Sequence, residues 1–412
     1  MSNHKTQNIN KEISSSSRSH LDELCRLGAQ RMLQVALEEE VQEYLNKHQG
    51  ILDSNGHRMV VKNGTSPERD IITGAGPLKI KQPRINDKRE DCKFTSSILP
   101  PYLRKSPSID SLIPALYLKG ISTNDYPEAL EALLGKDCGG LSQGSIVRLK
   151  KVWEEDYKEW NQRDLSDKKY VYMWADGIHF NIRLEENRAC MLVIIGTTET
   201  GKKELVGILD GYRESKESWS YLMRDLQKRG LKDGPKLAVG DGALGFWAAL
   251  REVFPESVEQ RCWVHKTANI LDKMPKSVQG KAKFMIHEMY MSPTKANALV
   301  IYRDFIDSYD SKYPKACECL SKDKDVLFSF YDFPADHWQH IRTTNPIEST
   351  FATVRLRTKR TKGCGSRMAT LTMVYKLAIE AQKRWKKLKG YKWITEIFRG
   401  TKFQDGELVK SA

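Results

Sequence analysis

No stretch of the 412 residues approaches the roughly 20 consecutive apolar positions of a membrane span. The opening MSNHKTQNINKEISSSSRSH lacks the apolar core of a signal peptide and reads as a flexible polar arm. Both absences lead to the expectation of a cytoplasmic protein. Paired Cys-x-x-Cys units are missing too. The eight cysteines (25, 92, 138, 190, 262, 317, 319, 364) are scattered, which excludes a disulfide framework and a zinc finger of the usual kind. Cys317 and Cys319 sit close enough for a ligand pair, but no second pair answers them, so idle or buried thiols are the simpler reading.

Acidic residues are nearly absent from one stretch. Arg355 to Lys392 holds 13 Lys or Arg against the single acid Glu380, a local net of +12. The whole chain carries +14, so only +2 is left for everything else. A basic device that local points to a polyanionic partner, and with no bilayer signal elsewhere the partner is nucleic acid rather than a membrane.

The most informative stretch is KLAVGDGALGFWAALREV, Lys236 to Val253. It predicts a short buried strand, a turn carrying Asp241, and a helix from Ala243. Gly240 to Gly245 spells G-x-G-x-x-G, with Glu259 about 20 residues further on, as in a dinucleotide-binding unit. Asp241 argues against that reading, because a carboxylate in the turn would repel the pyrophosphate that a helix N-terminus attracts. No nucleotide cofactor is expected. An acid at the C-terminal end of a buried strand suits a cation instead.

Along the chain, His20 to Lys47 has apolar residues at helical spacing and predicts an amphipathic helix packed on its own protein. Ile51 to Leu99 turns to short strand-like runs, including Leu78 and Ile80 alternating with a basic face of Lys79, Lys81 and Arg84. Ile109 to Trp160 predicts three short helices, the second and third capped by Ser122 and Ser142, an arrangement compatible with a helix-turn-helix or a plain helical linker. Lys169 opens three strands that read as an antiparallel meander. A helix (Glu217 to Lys228), the Asp241 strand, its helix and a strand near Val258 to Val264 follow.

Three antiparallel strands, a helix, a strand, a helix and a strand make the element order of a ribonuclease H-like core. The expected fold is therefore α/β: a mixed five-stranded sheet with helices, an all-α insertion, and an α-rich DNA-binding region in front. The expected divisions are an arm (1–18), a DNA-binding region (19–165), the first part of the core (166–265), the insertion (266–340), the second part with a basic helix (341–400), and a tail (401–412).

This order makes Asp176 and Asp241 neighbours across the sheet. Thr344 or Asn345 can cap a helix with Pro346 in its first turn, with Glu348 near the N-terminus and Arg355 on the same face. Three crowded carboxylates would take up protons unless divalent cations neutralised them, and hard oxygen donors suit Mg²⁺ or Mn²⁺. Two such ions support in-line phosphoryl displacement.

The strings YMWADGIHFNIR, ELVGILDGYRESKESW, GDGALGFWAALREVFP with QRCWVHK, and TTNPIESTFATVRLRTKR resemble the catalytic domain of mutator-type transposases, the insertion-sequence family related to plant Mutator elements. The resemblance covers about Tyr170 to Trp385 and extends more weakly upstream. It implies that Asp176, Asp241 and Glu348 form a metal-binding DDE triad and that Arg355 is the basic residue expected after the Glu. It also implies that Cys262 and His265 match the family's Cys-x-x-His signature, of unassigned role. The implied reaction is cleavage at the element ends, followed by attack of the freed 3′-OH on target DNA, with Arg355, Arg357, Lys359, Arg360 and Lys362 along the backbone. The implied partners are double-stranded DNA, both terminal inverted repeats and target, and further copies of the chain assembled on it in a bacterial cytoplasm, nucleoid-associated. A stand-alone metal-dependent nuclease and a catalytically silent DNA-binding protein are the alternatives.

Overall fold

The computed structural model describes residues 3–119, 121, 126–134, 143–180, 189–211, 213–360 and 366–409. The chain divides into two compact units, Met1–Leu149 and Lys150–Ala412.

The first unit opens with α1 (Asn3–Lys47), longer than the helix expected from His20. No Pro or Gly between Asn3 and His20 interrupts it, and the segment expected as an arm is helical from Asn3. Two antiparallel strand pairs follow: β1 (Val60–Thr65) with β4 (Pro83–Asp87), and β2 (Arg69–Thr73) with β3 (Gly76–Ile80). Leu37 of α1 packs with Ile71, Leu78, Ile80 and Leu99 in a small core. Lys79, Lys81 and Arg84 stay exposed, because side chains alternate across the strand plane. The amphipathic stripe of α1 is only half used: Leu37 and Val41 are buried, whereas Leu21, Leu24, Leu27 and Met32 are exposed. Helices α2 (Pro107–Lys119) and α3 (Tyr126–Leu134) gather Leu112, Leu116 and Tyr117 around Leu130. The caps expected at Ser122 and Ser142 lie outside the described residues. The division between the units falls within α4 (Gln143–Asn161).

In the second unit β5 (Tyr170–Phe180), β6 (Ala189–Thr198) and β7 (Lys203–Gly211) form the meander. α5 (Lys216–Lys228) then crosses to β8 (Leu237–Gly240), and α6 (Leu244–Val253) leads to β9 (Val258–Arg261). The order β7-β6-β5-β8-β9 gives a five-stranded mixed sheet, antiparallel on one side and parallel on the other. β5 is central and nearly wholly buried, which explains its continuous apolar run YVYMWA. α5 and α6 lay Trp219, Leu222, Phe246 and Trp247 on one face, where their apolar burial is the main stabilising term.

The insertion comprises α7 (Trp263–Leu271), α8 (Lys276–Met291), α9 (Lys295–Tyr309), α10 (Pro314–Ser321), α11 (Lys324–Leu327) and α12 (Trp338–Ile341). Trp263 is fully buried: its indole donates to the Leu327 carbonyl at 2.9 Å and its ring lies 5.3 Å from that of Tyr290. α13 (Asn345–Arg360) and α14 (Arg367–Gln382) complete the unit, with α14 packed on β7 and Arg367 in a two-point ion pair with Asp210 at 2.7 Å. No helix among the described residues is long and apolar enough to cross a membrane.

A candidate active site at the end of the central sheet

The register of β5 and β8 brings the first two acids together. Their parallel pairing ends at Ala175 opposite Gly240; Asp176 is the next residue of β5, and Asp241 is the first residue past β8. Parallel neighbours lie roughly 4.8 Å apart, so the two residues are adjacent across the β5–β8 edge of the ladder, and the Asp241 charge is the largest charge raising Asp176. Asp176 is only 7% exposed, and its Oδ1 accepts from the Gly177 N–H at 2.9 Å. Asp241 Oδ1 accepts from the Ala243 N–H at 2.9 Å, which anchors the turn. Gly242 holds that turn at φ +93°, where a side chain would also collide with the Arg261 guanidinium.

A fourth carboxylate stands here that the sequence reading missed. Glu214 lies just past the C-terminal end of β7, which runs in the same direction as β5 and so ends on the same side of the sheet. Two glycines admit it. A Cβ on Gly177 would collide with the Glu214 carboxylate, and a Cβ on Gly245 would sit 2.5 Å from the Glu214 carbonyl oxygen and 2.7 Å from the Lys216 nitrogen. His179 Nε2 meets Glu214 Oε1 at 3.0 Å, and both join Cys190 in one set of potential ligand atoms within 4.8 Å. The signal was available in principle: an acid directly before Ser215, the N-cap of α5, on the crossover that returns to β8.

Glu348 arrives from α13. The Thr344 carbonyl accepts the Ile347 and Glu348 N–H groups at 2.9 and 3.1 Å, and the Thr344 hydroxyl donates to Glu348 Oε1 at 2.9 Å. Thr344 also donates its N–H to Cys262 Sγ at 3.3 Å. His265 Nδ1 lies 3.8 Å from Glu348 Oε1, and Cys262, His265 and Glu348 form the other set of ligand atoms within 4.8 Å among the described residues. Asp176, Asp241 and Glu348 are not themselves such a set, although the charges of Asp176 and Asp241 are felt at His265, beside Glu348. Arg355 is exposed, with its guanidinium 5.9 Å from the Phe351 ring centre. The side chains of Arg357, Lys359 and Arg360, and all of Lys362, lie outside the described residues.

The electrostatics follow from this crowding. Burial, then the charges of Asp241 and Glu214, push Asp176 up to about 7, against the opposing pull of His265. Burial and Asp241 likewise raise Glu214, with His179 opposing. His265 is raised to about 9, first by its hydrogen bond with Cys262 and, against burial, by the charges of Cys262, Asp176 and Asp241. Burial disfavours the Cys262 thiolate, but hydrogen bonds with His265 and Thr344 outweigh it and hold the thiol below its ordinary range. The arrangement is an electronegative cluster whose acids raise one another's proton affinity and favour the charged form of His265.

Residues 1–388 match the family described as transposase, Mutator family. The chain belongs to this family. It is 49% identical over 302 residues to the transposase for insertion sequence element IS6120 of Mycolicibacterium smegmatis, which covers 73% of this chain and 93% of that protein. It is also 49% identical over 286 residues to the transposase for insertion sequence element IST2 of Acidithiobacillus ferrooxidans, covering 68% and 94%. A third relative, the transposase for insertion sequence element IS256 in transposon Tn4001 of Staphylococcus aureus, is 30% identical over 303 residues, 71% of this chain and 74% of that protein. A Mutator-family transposase acts on DNA, which accounts for the class of polyanion that its +14 charge calls for.

Proposed function

We propose that this transposase is of the DDE type, with a ribonuclease H-like core in its second unit and Asp176, Asp241 and Glu348 as its catalytic acids. The observation that supports the reading is the strand register that sets Asp176 beside Asp241, together with the influence of both charges on His265, which lies 3.8 Å from Glu348. The sheet order and the helical stretch between Cys262 and Glu348 support the fold assignment.

The donor set suits a hard divalent ion: Asp176 is a buried carboxyl whose raised proton affinity a cation would relieve. Asp176 and Asp241 would hold two Mg²⁺ or Mn²⁺ ions, with Glu348 completing one of them, and when bound the ions supply charge neutralisation and Lewis acidity to a phosphodiester. The chain's own groups do the rest. Thr344 fixes one oxygen of Glu348, and His265, cationic below about 9, balances the acids before substrate enters. The reaction is cleavage at the insertion-sequence end and then attack of the freed 3′-OH on a target phosphodiester. Arg355, Arg357, Lys359, Arg360 and Lys362 follow the backbone near the cut, and the first unit binds the element's terminal inverted repeats. Copies of the chain assemble as a homo-oligomer on that DNA.

The test is a cleavage and strand-joining assay on DNA carrying the element's own ends, with Mg²⁺ or EDTA, for wild type and Glu348→Gln. Joined products should need Mg²⁺ and disappear in the variant while DNA binding persists. Cleavage without joining would favour a metal-dependent nuclease, and undiminished activity in the variant would remove Glu348 from the site.

A further inference from the structure

A second feature lies against the Asp241 turn, on the side of the helical insertion. Gly242 and Leu244 form one wall of a cleft of about 430 Å³, and α7 and α10 form the others. Its cations outnumber its acids. Arg261 and Lys266 lie in its floor, Lys273, Lys315 and Lys322 on its rim, and the opposing acids are Glu318 and Asp323.

The floor is built, not incidental. Arg261 and Lys266 are 5% and 2% exposed and share one carboxylate: Asp323 Oδ2 lies 3.2 Å from Arg261 Nε and 2.7 Å from Lys266 Nζ. One acid therefore serves two buried cations. Arg261 Nε and Nη1 are buried with no hydrogen-bond acceptor among the described residues, and Nη1 is packed where Gly242 lacks a Cβ. A buried guanidinium with an unsatisfied donor is costly, and the groups that satisfy its planar fork best are carboxylate and phosphate. Glu318 is exposed on the surface of α10 and makes no ion pair with Arg261. Lys273, Lys315 and Lys322 are exposed and take part in no ion pair among the described residues.

We infer that this cleft seats the phosphodiester backbone of DNA, a contact track on the insertion side of the Asp241 turn that is separate from the basic stretch after Glu348. The choice of DNA over a small free phosphate rests on the transposase reading and on the rim, where three separated, unpaired lysines match a polymer of repeating charge better than a single anion. Arg261 and Lys266 take the innermost phosphate, and the rim lysines meet its neighbours.

The experiment measures binding of the full chain to a fluorescein-labelled duplex of mixed sequence by fluorescence anisotropy across a salt series. Wild type is compared with the triple variant Lys273→Gln, Lys315→Gln, Lys322→Gln. These exposed side chains leave the core untouched, and matched thermal melting verifies the fold. Each lost phosphate contact lowers the slope of log K against log salt by about 0.9, so the variant should lose about 2 to 3 slope units and on the order of 100-fold in affinity at ~0.1 M salt. Equal slopes and affinities would overturn the inference. So would calorimetry with inorganic pyrophosphate showing binding that the triple variant alone loses while DNA binding stays intact, since the site would then belong to a small phosphate ligand. The strand-joining assay separates this inference from the reading beneath it. If wild type joins no strands but the slope difference persists, the cleft stands and the transposase mechanism fails. If strands are joined and the slopes agree, the cleft fails alone.

Discussion

Gly245→Ala tests how the site is assembled. In the sequence Gly245 is the third glycine of a dinucleotide-like signature; in the structure it lies in the first turn of α6, under the backbone of Glu214 to Lys216. A methyl group there would stand 2.5 Å from the Glu214 carbonyl oxygen and 2.7 Å from both the Lys216 nitrogen and the Ser215 carbonyl carbon. All three are backbone atoms, so no rotamer change relieves the clash, and the loop and helix must separate by about 1 Å to reach ordinary contact. Such overpacking costs about 1–3 kcal/mol, offset by less than about 1 kcal/mol from replacing Gly in a helix. A net loss of about 1–2 kcal/mol should lower the melting temperature by roughly 2–4 °C per kcal/mol for a unit of this size. Gly280→Ala is the control: Gly280 is a helical glycine in α8 with nothing within 4 Å of its Cβ position, so the same substitution should stabilise by up to about 1 kcal/mol. Strand joining should fall in Gly245→Ala, because the displaced loop carries Glu214 away from Asp176 and Asp241, and should not change in Gly280→Ala. A Gly245→Ala protein that melts at or above wild type would refute the close approach and the account of the glycine signature with it.

Three further outcomes are expected. Glu214→Gln removes a charge that raises Asp176, so a Mn²⁺ titration followed by electron paramagnetic resonance should show affinity weakened on the order of 10-fold; unchanged affinity would leave Glu214 only its contact with His179. Cys262→Ser removes the largest influence holding His265 near 9, and the imidazole should titrate closer to its ordinary range, seen by nuclear magnetic resonance as loss of the charged form at lower pH. An unshifted His265 would locate the cause in the acids alone. His340 is pushed down to about 4, first by burial and then by Lys203, His337 and Lys389. It is neutral in the folded chain and protonated in the unfolded chain below its ordinary 6.5, so its contribution is complete above that value and is lost as pH falls towards 4. Discounted for partial exposure, the loss is about 1–2 kcal/mol. Denaturant titrations of wild type and His340→Gln should diverge across that window, and parallel curves would contradict the assignment.

Much of the second unit is legible in the residue order. Apolar runs in YVYMWA and ACMLVII, turns at Gly201 and Gly211, and helical spacing after Ser215 specify the succession of strands and helices, because local pattern decides local structure. The same chemistry marks Asp241 as unsuited to a phosphate turn and confines the positive charge to one stretch. Other features depend on contacts between residues far apart in sequence. Glu214 is marked locally only as an acid before the Ser215 cap, yet β7 delivers it to the end of the sheet where Asp176 and Asp241 lie, and the missing side chains of Gly177 and Gly245 give it room. The exposed half of the α1 stripe shows the converse, since helical spacing states that a face is apolar and not whether anything covers it. His265 and Cys262 read as an isolated pair until Thr344 and Glu348, some 80 residues later, close around them. By itself the sequence determined the elements and the chemical types at their ends. Only the tertiary structure decided which ends meet, because burial and charge coupling depend on distance in space rather than along the chain.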